Sequence, residues 1–359
     1  MVDALPSPVH KGRGATLNPS PRFDTESRLL IDDGWGGEDP DLPPLRTTVS
    51  ADASRSVIAR NQSPDVPFDR SINPYRGCEH GCVYCFARPS HAYLGLSPGL
   101  DFETRLSAKF DAAALLAKEL RAKTYRCAVM GLGTNTDPYQ PIERGHRITR
   151  QILEVLRDFN HPVAIVTKGA LVTRDIDILG PMAALNLVTV HLSITTLDPA
   201  LARSLEPRAS SPLKRLDAIR QLAAANIPVG VLAAPMIPAI NDMELEAILE
   251  AAHDAGAESA SYTLLRLPNE VKELMESWLA EHAPAKRERV LSLIRQSHGG
   301  KLYDSDFKSR FRGTGPHADL LRQRFALALR RLGLNRRPWD FDVSLFRAPP
   351  QAGDQLTLL

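Results

Sequence analysis

The sequence predicts an α/β chain organised on a parallel sheet. Between about residues 71 and 264, short β-branched or apolar runs alternate with helical patterns. Repeated βα units of this length imply parallel strands with covering helices. Six such units make a partial (β/α)6 barrel of the TIM type, although alternation alone fits a doubly wound sheet equally well. In either arrangement ligands gather at the C-terminal ends of the strands. Three cysteines crowded after the first predicted strand stand where that rule places a site.

The elements follow in order. Residues 1 to about 65 are rich in Pro, Asp, Ser and Arg without apolar periodicity, which predicts a mostly irregular N-terminal arm draped over the core. Strands are expected over 71–76, 127–132, 163–167, 187–195, 229–234 and 259–264, and helices over 109–121, 141–158, 173–185, 213–225 and 243–255. These place the α/β core over 66–267. Residues 268–340 read as a helical, basic extension, and 341–359 as a flexible tail. From Lys286 to Arg337 there are fourteen Lys and Arg against four acids, a local +10, so the remainder must sum to −8 within the overall +2.

A chain of 359 residues is long enough to bury a substantial core. No stretch reaches the ~18 consecutive apolar residues of a membrane span. The most apolar segment, 227–240, contains three prolines and reads as a buried strand with its exit loop. With four cysteines and no apolar N-terminal segment resembling a secretion signal, the expected compartment is the cytoplasm, without disulfides or a membrane partner.

The cysteine motif is Cys78-Glu79-His80-Gly81-Cys82-Val83-Tyr84-Cys85, a C-x3-C-x2-C run. A Cys3His zinc site using His80 or His91 is one reading, but zinc knuckles usually come in pairs and no second knuckle exists. A cubane [4Fe-4S] cluster normally takes four thiolates. Three from one loop would hold three irons and leave the fourth open.

Polar residues recur at successive predicted strand ends. The second strand leads into Gly131-Leu132-Gly133-Thr134-Asn135-Thr136-Asp137-Pro138, the third into Thr167-Lys168-Gly169, the fourth into Ser193-Ile194-Thr195, and the fifth into Ala233-Ala234-Pro235. Singly these are a turn, a surface charge and a satisfied hydroxyl. Their recurrence points to one shared site.

Together with Ser71-Ile72-Asn73-Pro74-Tyr75-Arg76-Gly77 and Cys85-Phe86-Ala87-Arg88-Pro89-Ser90-His91, these segments resemble the spore-photoproduct-lyase-like branch of the radical S-adenosylmethionine (SAM) superfamily, and within it an uncharacterised bacterial subfamily. The resemblance runs from about Ser71 to Tyr262. It implies the partial (β/α)6 barrel, a [4Fe-4S] cluster on Cys78, Cys82 and Cys85, and SAM contacts from Thr136, Asp137, Lys168, Ser193 and Ala234. It also implies a one-electron donor such as flavodoxin or ferredoxin, and reductive cleavage of SAM to a 5'-deoxyadenosyl radical that abstracts hydrogen. Tyr84 matches one of the two tyrosines flanking the third cysteine in the lyases, whereas Phe86 replaces the other. The lyases' hydrogen-donating cysteine has no counterpart in Gly133-Thr134-Asn135. Cys127, the nearest candidate, lies several residues too early and reads more readily as a structural thiol. Tyr84 and Cys127 are thus the catalytic candidates, and the photoproduct reaction itself does not carry over.

Beyond the core, Leu321, Phe325, Ala328 and Leu332 share one helical face. The helix either caps the barrel, or it presents phosphate-binding arginines, Arg310, Arg312, Arg322, Arg324, Arg330 and Arg331, to nucleic acid. Tyr303, Phe307, Phe311 and Trp339 would then stack on bases or else enter the core. The terminal Gln355, Leu356, Leu358 and Leu359 resemble a sliding-clamp-binding peptide. The expected function is a radical SAM enzyme acting on a nucleic-acid base. The alternatives are the same chemistry on a small-molecule or protein substrate, or a zinc-stabilised binding module.

Overall fold

The computed structural model describes residues 11–24, 45–336 and 339–350. Ten strands are present among them: β1 (Thr48–Ala51), β2 (Ile58–Arg60), β3 (Arg70–Ile72), β4 (Tyr75–Arg76), β5 (Arg105–Ala108), β6 (Met130–Leu132), β7 (Val163–Thr167), β8 (Val188–Ser193), β9 (Val229–Met236) and β10 (Ser259–Leu264). The main sheet runs β10-β9-β8-β7-β6-β3-β2. From β3 to β10 its six strands are parallel and follow chain order, and β2 adds antiparallel to the β3 edge. A doubly wound sheet would reverse direction partway across. Unbroken chain order instead gives the partial (β/α)6 barrel, open between β10 and β2.

The parallel strands are buried on both faces, and their apolar runs pack beneath the helices. Ile148, Ile152 and Leu156 form the inner stripe of helix Ile148–Asp158, and Leu245, Ile248, Leu249 and Ala252 that of Leu245–Asp254. The helix expected over 141–158 breaks at Arg147, whose φ of 53° is left-handed. The cause is Glu143, whose buried carboxylate accepts the Thr149 amide at 3.0 Å and so caps a fresh helix start.

The strand expected over 71–76 also divides, at Asn73-Pro74. Its second half, β4, joins β1 and β5 in a separate sheet of order β1-β5-β4. The arm is therefore less irregular than its composition suggests. Its described part supplies β1 and β2, and residues 13–16 lie buried against the core.

The C-terminal extension shares a core with the cysteine loop. Val271, Leu274 and Trp278 of helix Val271–His282, with Val290 and Ile294 of helix Arg287–Ser297, pack with Val83, Tyr84 and Leu205. Helix Pro316–Leu332 buries Ala318, Leu321, Phe325 and Ala328, the face expected from its spacing, and packs on helix Leu245–Asp254. Among the described residues no helix is long and apolar enough to cross a membrane.

Candidate active site

The cysteine loop begins where β4 ends and crosses the C-terminal ends of the parallel strands. Gly77 and Gly81 bend it with φ of 75° and 69°. At Gly81 a Cβ would lie 2.7 Å from Glu103 Oε2, so only glycine fits without displacement. Arg88, wholly buried, fastens the loop from beneath. It donates to the carbonyls of Cys82 at 2.8 Å, Gly99 at 2.9 Å, and Pro98 and Gly81 at 3.1 Å, and pairs with Glu103. Glu103 in turn accepts the amides of Gly14 and Ala15 at 3.0 and 2.8 Å. The loop is also tied to the segment after β6 and to the end of helix Pro199–Leu205. Gln140 accepts the Glu79 amide at 2.9 Å and donates to the Gly77 carbonyl at 3.2 Å, and the Val83 amide reaches Leu205 O at 3.1 Å.

These contacts leave one cavity of about 980 Å³, counted to its open mouth, over the strand ends. Cys78, Cys82 and Cys85 all line it, as do Tyr84, Asp137, Lys168, Ser193 and Ala234. Burial pushes all three thiols up from the ordinary range, most strongly at Cys78. Lys168 and Arg215 oppose that rise at Cys82, and Arg88 and Lys168 at Cys85. Among the described residues no three His, Cys, Asp or Glu side chains converge on a single ion. A cubane takes each thiolate on a different iron and needs no such convergence. The donor set, one cavity and the surrounding cations therefore fit an anionic three-thiolate cluster.

The Asp137 carboxylate is saturated by the protein. It accepts Thr167 Oγ1 at 2.6 Å, the Tyr139 amide at 2.9 Å and the Lys168 amide at 2.7 Å, and His80 Nδ1 stands 3.3 Å away. Burial would raise its pKa, but His80 and these hydrogen bonds outweigh burial and hold it at about 2. Lys168 Nζ donates to Ser193 Oγ at 2.9 Å, and Ser193 Oγ donates to the Ala234 carbonyl at 3.2 Å. Below them Glu206 pairs with Arg215, which also holds the Ser193 carbonyl at 2.8 Å. Burial opposes ionisation of Glu206 as well, yet Arg215 and Lys168 bring its pKa down to about 2.

Two expected site residues are not brought to the cavity. Thr136 is buried with its hydroxyl donating to Tyr75 O at 2.7 Å, so it braces β4, and it is not among the residues that line the cavity. Cys127 precedes β6, at the opposite end of that strand from the site, and burial lifts its thiol to about 11. Tyr84 lines the cavity with its ring, while its hydroxyl is bonded to Glu206 and lies 3.1 Å from Thr195 Oγ1. Conversely, Asn135 and Arg266 line the cavity without being expected there, and Phe311, expected to stack on bases or enter the core, lines it as well. Asn135 adjoins the expected Thr136-Asp137 pair. Arg266 follows the sixth parallel strand and was open to the same strand-end reasoning as Lys168 and Ser193. Phe311 reaches the cavity from the loop between helices Arg287–Ser297 and Pro316–Leu332.

The arginines proposed as a basic face divide. Arg324 grips Glu246 at 2.8 and 2.5 Å, Arg310 grips Asp65 at 2.5 and 2.6 Å, Arg322 meets Asp319 at 2.7 Å, and Arg331 pairs with Glu250. Arg312 packs 4.0 Å from the Tyr262 ring centroid, and Arg330 is exposed. Gln355, Leu356, Leu358 and Leu359 lie outside the described residues.

A partial parallel barrel with its one cysteine loop and a cavity at the strand ends defines an α/β-barrel enzyme. Residues 72–252 match the radical SAM superfamily. An uncharacterized protein of Mycobacterium tuberculosis is 34% identical over 301 residues, covering 82% of this chain and 85% of that one. Another, from Methanocaldococcus jannaschii, is 30% identical over 174 residues, 48% of this chain and 62% of the other. Spore photoproduct lyase in complex with dinucleoside spore photoproduct superposes with a TM-score of 0.56 at 16% identity, covering 79% of this chain and 78% of that one. A variant of that lyase with bound AdoMet and the same dinucleoside gives a TM-score of 0.56 at 15% identity over the same shares. The chain belongs to the radical SAM superfamily, a family of enzymes that use a [4Fe-4S] cluster and SAM.

Proposed function

We propose that this enzyme abstracts hydrogen from a nucleic-acid base at the cavity over the strand ends, using a cluster held by Cys78, Cys82 and Cys85. The observation that supports it is the lining of one cavity by all three cysteines together with Asp137, Lys168, Ser193 and Ala234. When bound, the cluster and SAM supply a one-electron reduction that breaks a C–S bond and yields a carbon radical.

The chain's own residues bind, orient and exclude water. Lys168 offers its ammonium to a carboxylate and is steadied by Ser193 at 2.9 Å. Asp137 positions Lys168 through its amide, and Ala234 offers a backbone edge to a purine. The Tyr84 ring walls the cavity beside the third cysteine. The loop clamp and the shared core of the extension keep the thiols away from solvent. An external donor such as flavodoxin or ferredoxin supplies the electron, and the reducing cytoplasm suits such a cluster. The nucleic-acid target is supported by the basic extension and by the dinucleoside on the structurally similar lyase. Pairing of Arg310, Arg322, Arg324 and Arg331 with carboxylates favours instead a small-molecule or protein substrate, with the extension as a structural cover.

The test is anaerobic reconstitution with iron and sulfide, then dithionite and SAM, with 5'-deoxyadenosine as the readout. Product from the wild type and none from the Cys78→Ala, Cys82→Ala, Cys85→Ala triple variant is expected. A colourless wild type with stoichiometric zinc would refute the proposal. Salt-independent or absent binding of single-stranded oligonucleotides would transfer the reading to the second substrate class.

A further inference from the structure

We propose that Arg266 is the anion-binding residue of the substrate subsite, taking the phosphate of a nucleotide whose base lies against Phe86. This rests on the nucleic-acid reading above and names the residue that carries it. Arg266 stands two residues beyond β10 and lines the cavity at its mouth. Its guanidinium carbon is 5.3 Å from the ring centroid of Phe86, 4.7 Å from Phe311 and 5.9 Å from Tyr303. Aromatic faces at these distances hold a guanidinium by its quadrupole attraction while leaving its in-plane donors unused.

Those donors lack acceptors. Nε is buried without a hydrogen-bond partner, and Nη2 reaches only Tyr303 OH, at a long 3.4 Å. No carboxylate pairs with Arg266 among the described residues, whereas nearby Arg310 is committed to Asp65 through two bonds. A buried donor without an acceptor costs roughly 1–3 kcal/mol, which an incoming anion relieves. The planar fork suits phosphate oxygens. Phe86 follows the third cysteine directly and is 47% exposed, an apolar face turned outward beside the chemistry. Such a ring accepts any base by stacking. An unpaired cation and an open aromatic face at one cavity mouth together match a nucleotide.

Binding is measured on full-length, cluster-loaded protein under anaerobic conditions by fluorescence anisotropy. The probes are a single-stranded hexanucleotide and the same sequence with a neutral methylphosphonate backbone. Arg266→Gln is expected to weaken the phosphodiester strand about tenfold and to flatten the log–log salt dependence by about 0.7, one phosphate's worth on a single strand. Arg266→Lys should recover part of the loss, which also excludes misfolding as its cause. The neutral strand should bind the wild type and Arg266→Gln equally, and Phe86→Ala should weaken both strands roughly tenfold. Competition by a free nucleoside monophosphate would identify free nucleotides as the phosphate source, and its failure would identify the polymer; both keep the phosphate assignment. Equal loss of both strands in Arg266→Gln, or no loss while the wild type binds, overturns the inference alone. A wild type that binds neither strand removes the nucleic-acid reading and this inference with it.

Discussion

At the scale of single residues, Thr136 and Lys168 differ in where their polar groups go. Thr136 spends its hydroxyl on Tyr75 O, whereas Lys168 points into the cavity. Thr136→Val should lower stability by about 1 kcal/mol, one ordinary hydrogen bond, and leave SAM affinity unchanged. Lys168→Met should weaken SAM binding at least about tenfold, the scale of a charge-assisted contact. Isothermal titration of the reconstituted protein compares them, and an affinity loss at Thr136 equal to that at Lys168 would return the hydroxyl to the cavity. The difference between the two was not legible in sequence. A strand-end rule identifies which segments reach the site, but not which side chains of a segment turn toward it. Asp137, Lys168, Ser193 and Ala234 all line the cavity, each lying within or shortly after the C-terminal end of a parallel strand. The rule would have served for Arg266 also, had it been applied to the sixth strand.

Among elements, helical periodicity was the clearest signal, since apolar stripes recur over several turns. Helices Pro212–Ala224 and Leu245–Asp254 fall within two residues of their expected ranges. The short strands β1, β2 and β5 left no such signal. They span three or four residues, and β1 and β2 are largely exposed, so their pairing is decided by distant partners. Their placement explains why the arm matters to the cysteine loop. A Cβ on Gly14 would lie 1.8 Å from the Gly81 carbonyl oxygen, which neither backbone can relieve without moving. Gly14→Ala should therefore detach residues 13–16 and reduce iron incorporation. Arg88→Ala strips the buried Glu103 of its cation and should cost about 3–5 kcal/mol. Thermal melting and iron content read both changes. Normal melting and full iron loading in Gly14→Ala would show that the arm does not support the loop.

For the whole molecule, charge and acid stability are linked. The +10 of the extension does not remain free: Arg310, Arg324 and Arg331 meet Asp65, Glu246 and Glu250 from the acidic remainder. Sequence showed the imbalance but not that folding would use it internally. The acid limit falls on a different contact. His161 is buried, accepting from Tyr125 OH at 2.7 Å and donating Nδ1–H to Pro162 O at 3.0 Å, with Phe346 of the returning C-terminal segment edge-on at 5.4 Å. Burial, with nearby Arg70 and against the Pro162 carbonyl, lowers its pKa to about 4. The folded state thus resists a proton that the unfolded chain takes at its ordinary value. Stability from this group is complete above about pH 6.5 and is lost as pH falls toward 4, on the order of 2–3 kcal/mol. Urea unfolding of wild type and His161→Gln across pH 7 to 5 should show the wild type losing stability faster. Parallel pH profiles would contradict this.

The contact between Gly14 and Glu103, separated by 89 positions in the chain, carries a consequence for biosynthesis. Gly14 leaves the ribosome well before the carboxylate that receives its amide, so residues 13–16 cannot be seated until Glu103 has been made. The cysteines at 78, 82 and 85 likewise emerge before Glu103 and before the helices that complete their core. The core that shields the three thiols is thus complete only once residues 271–294 have been made.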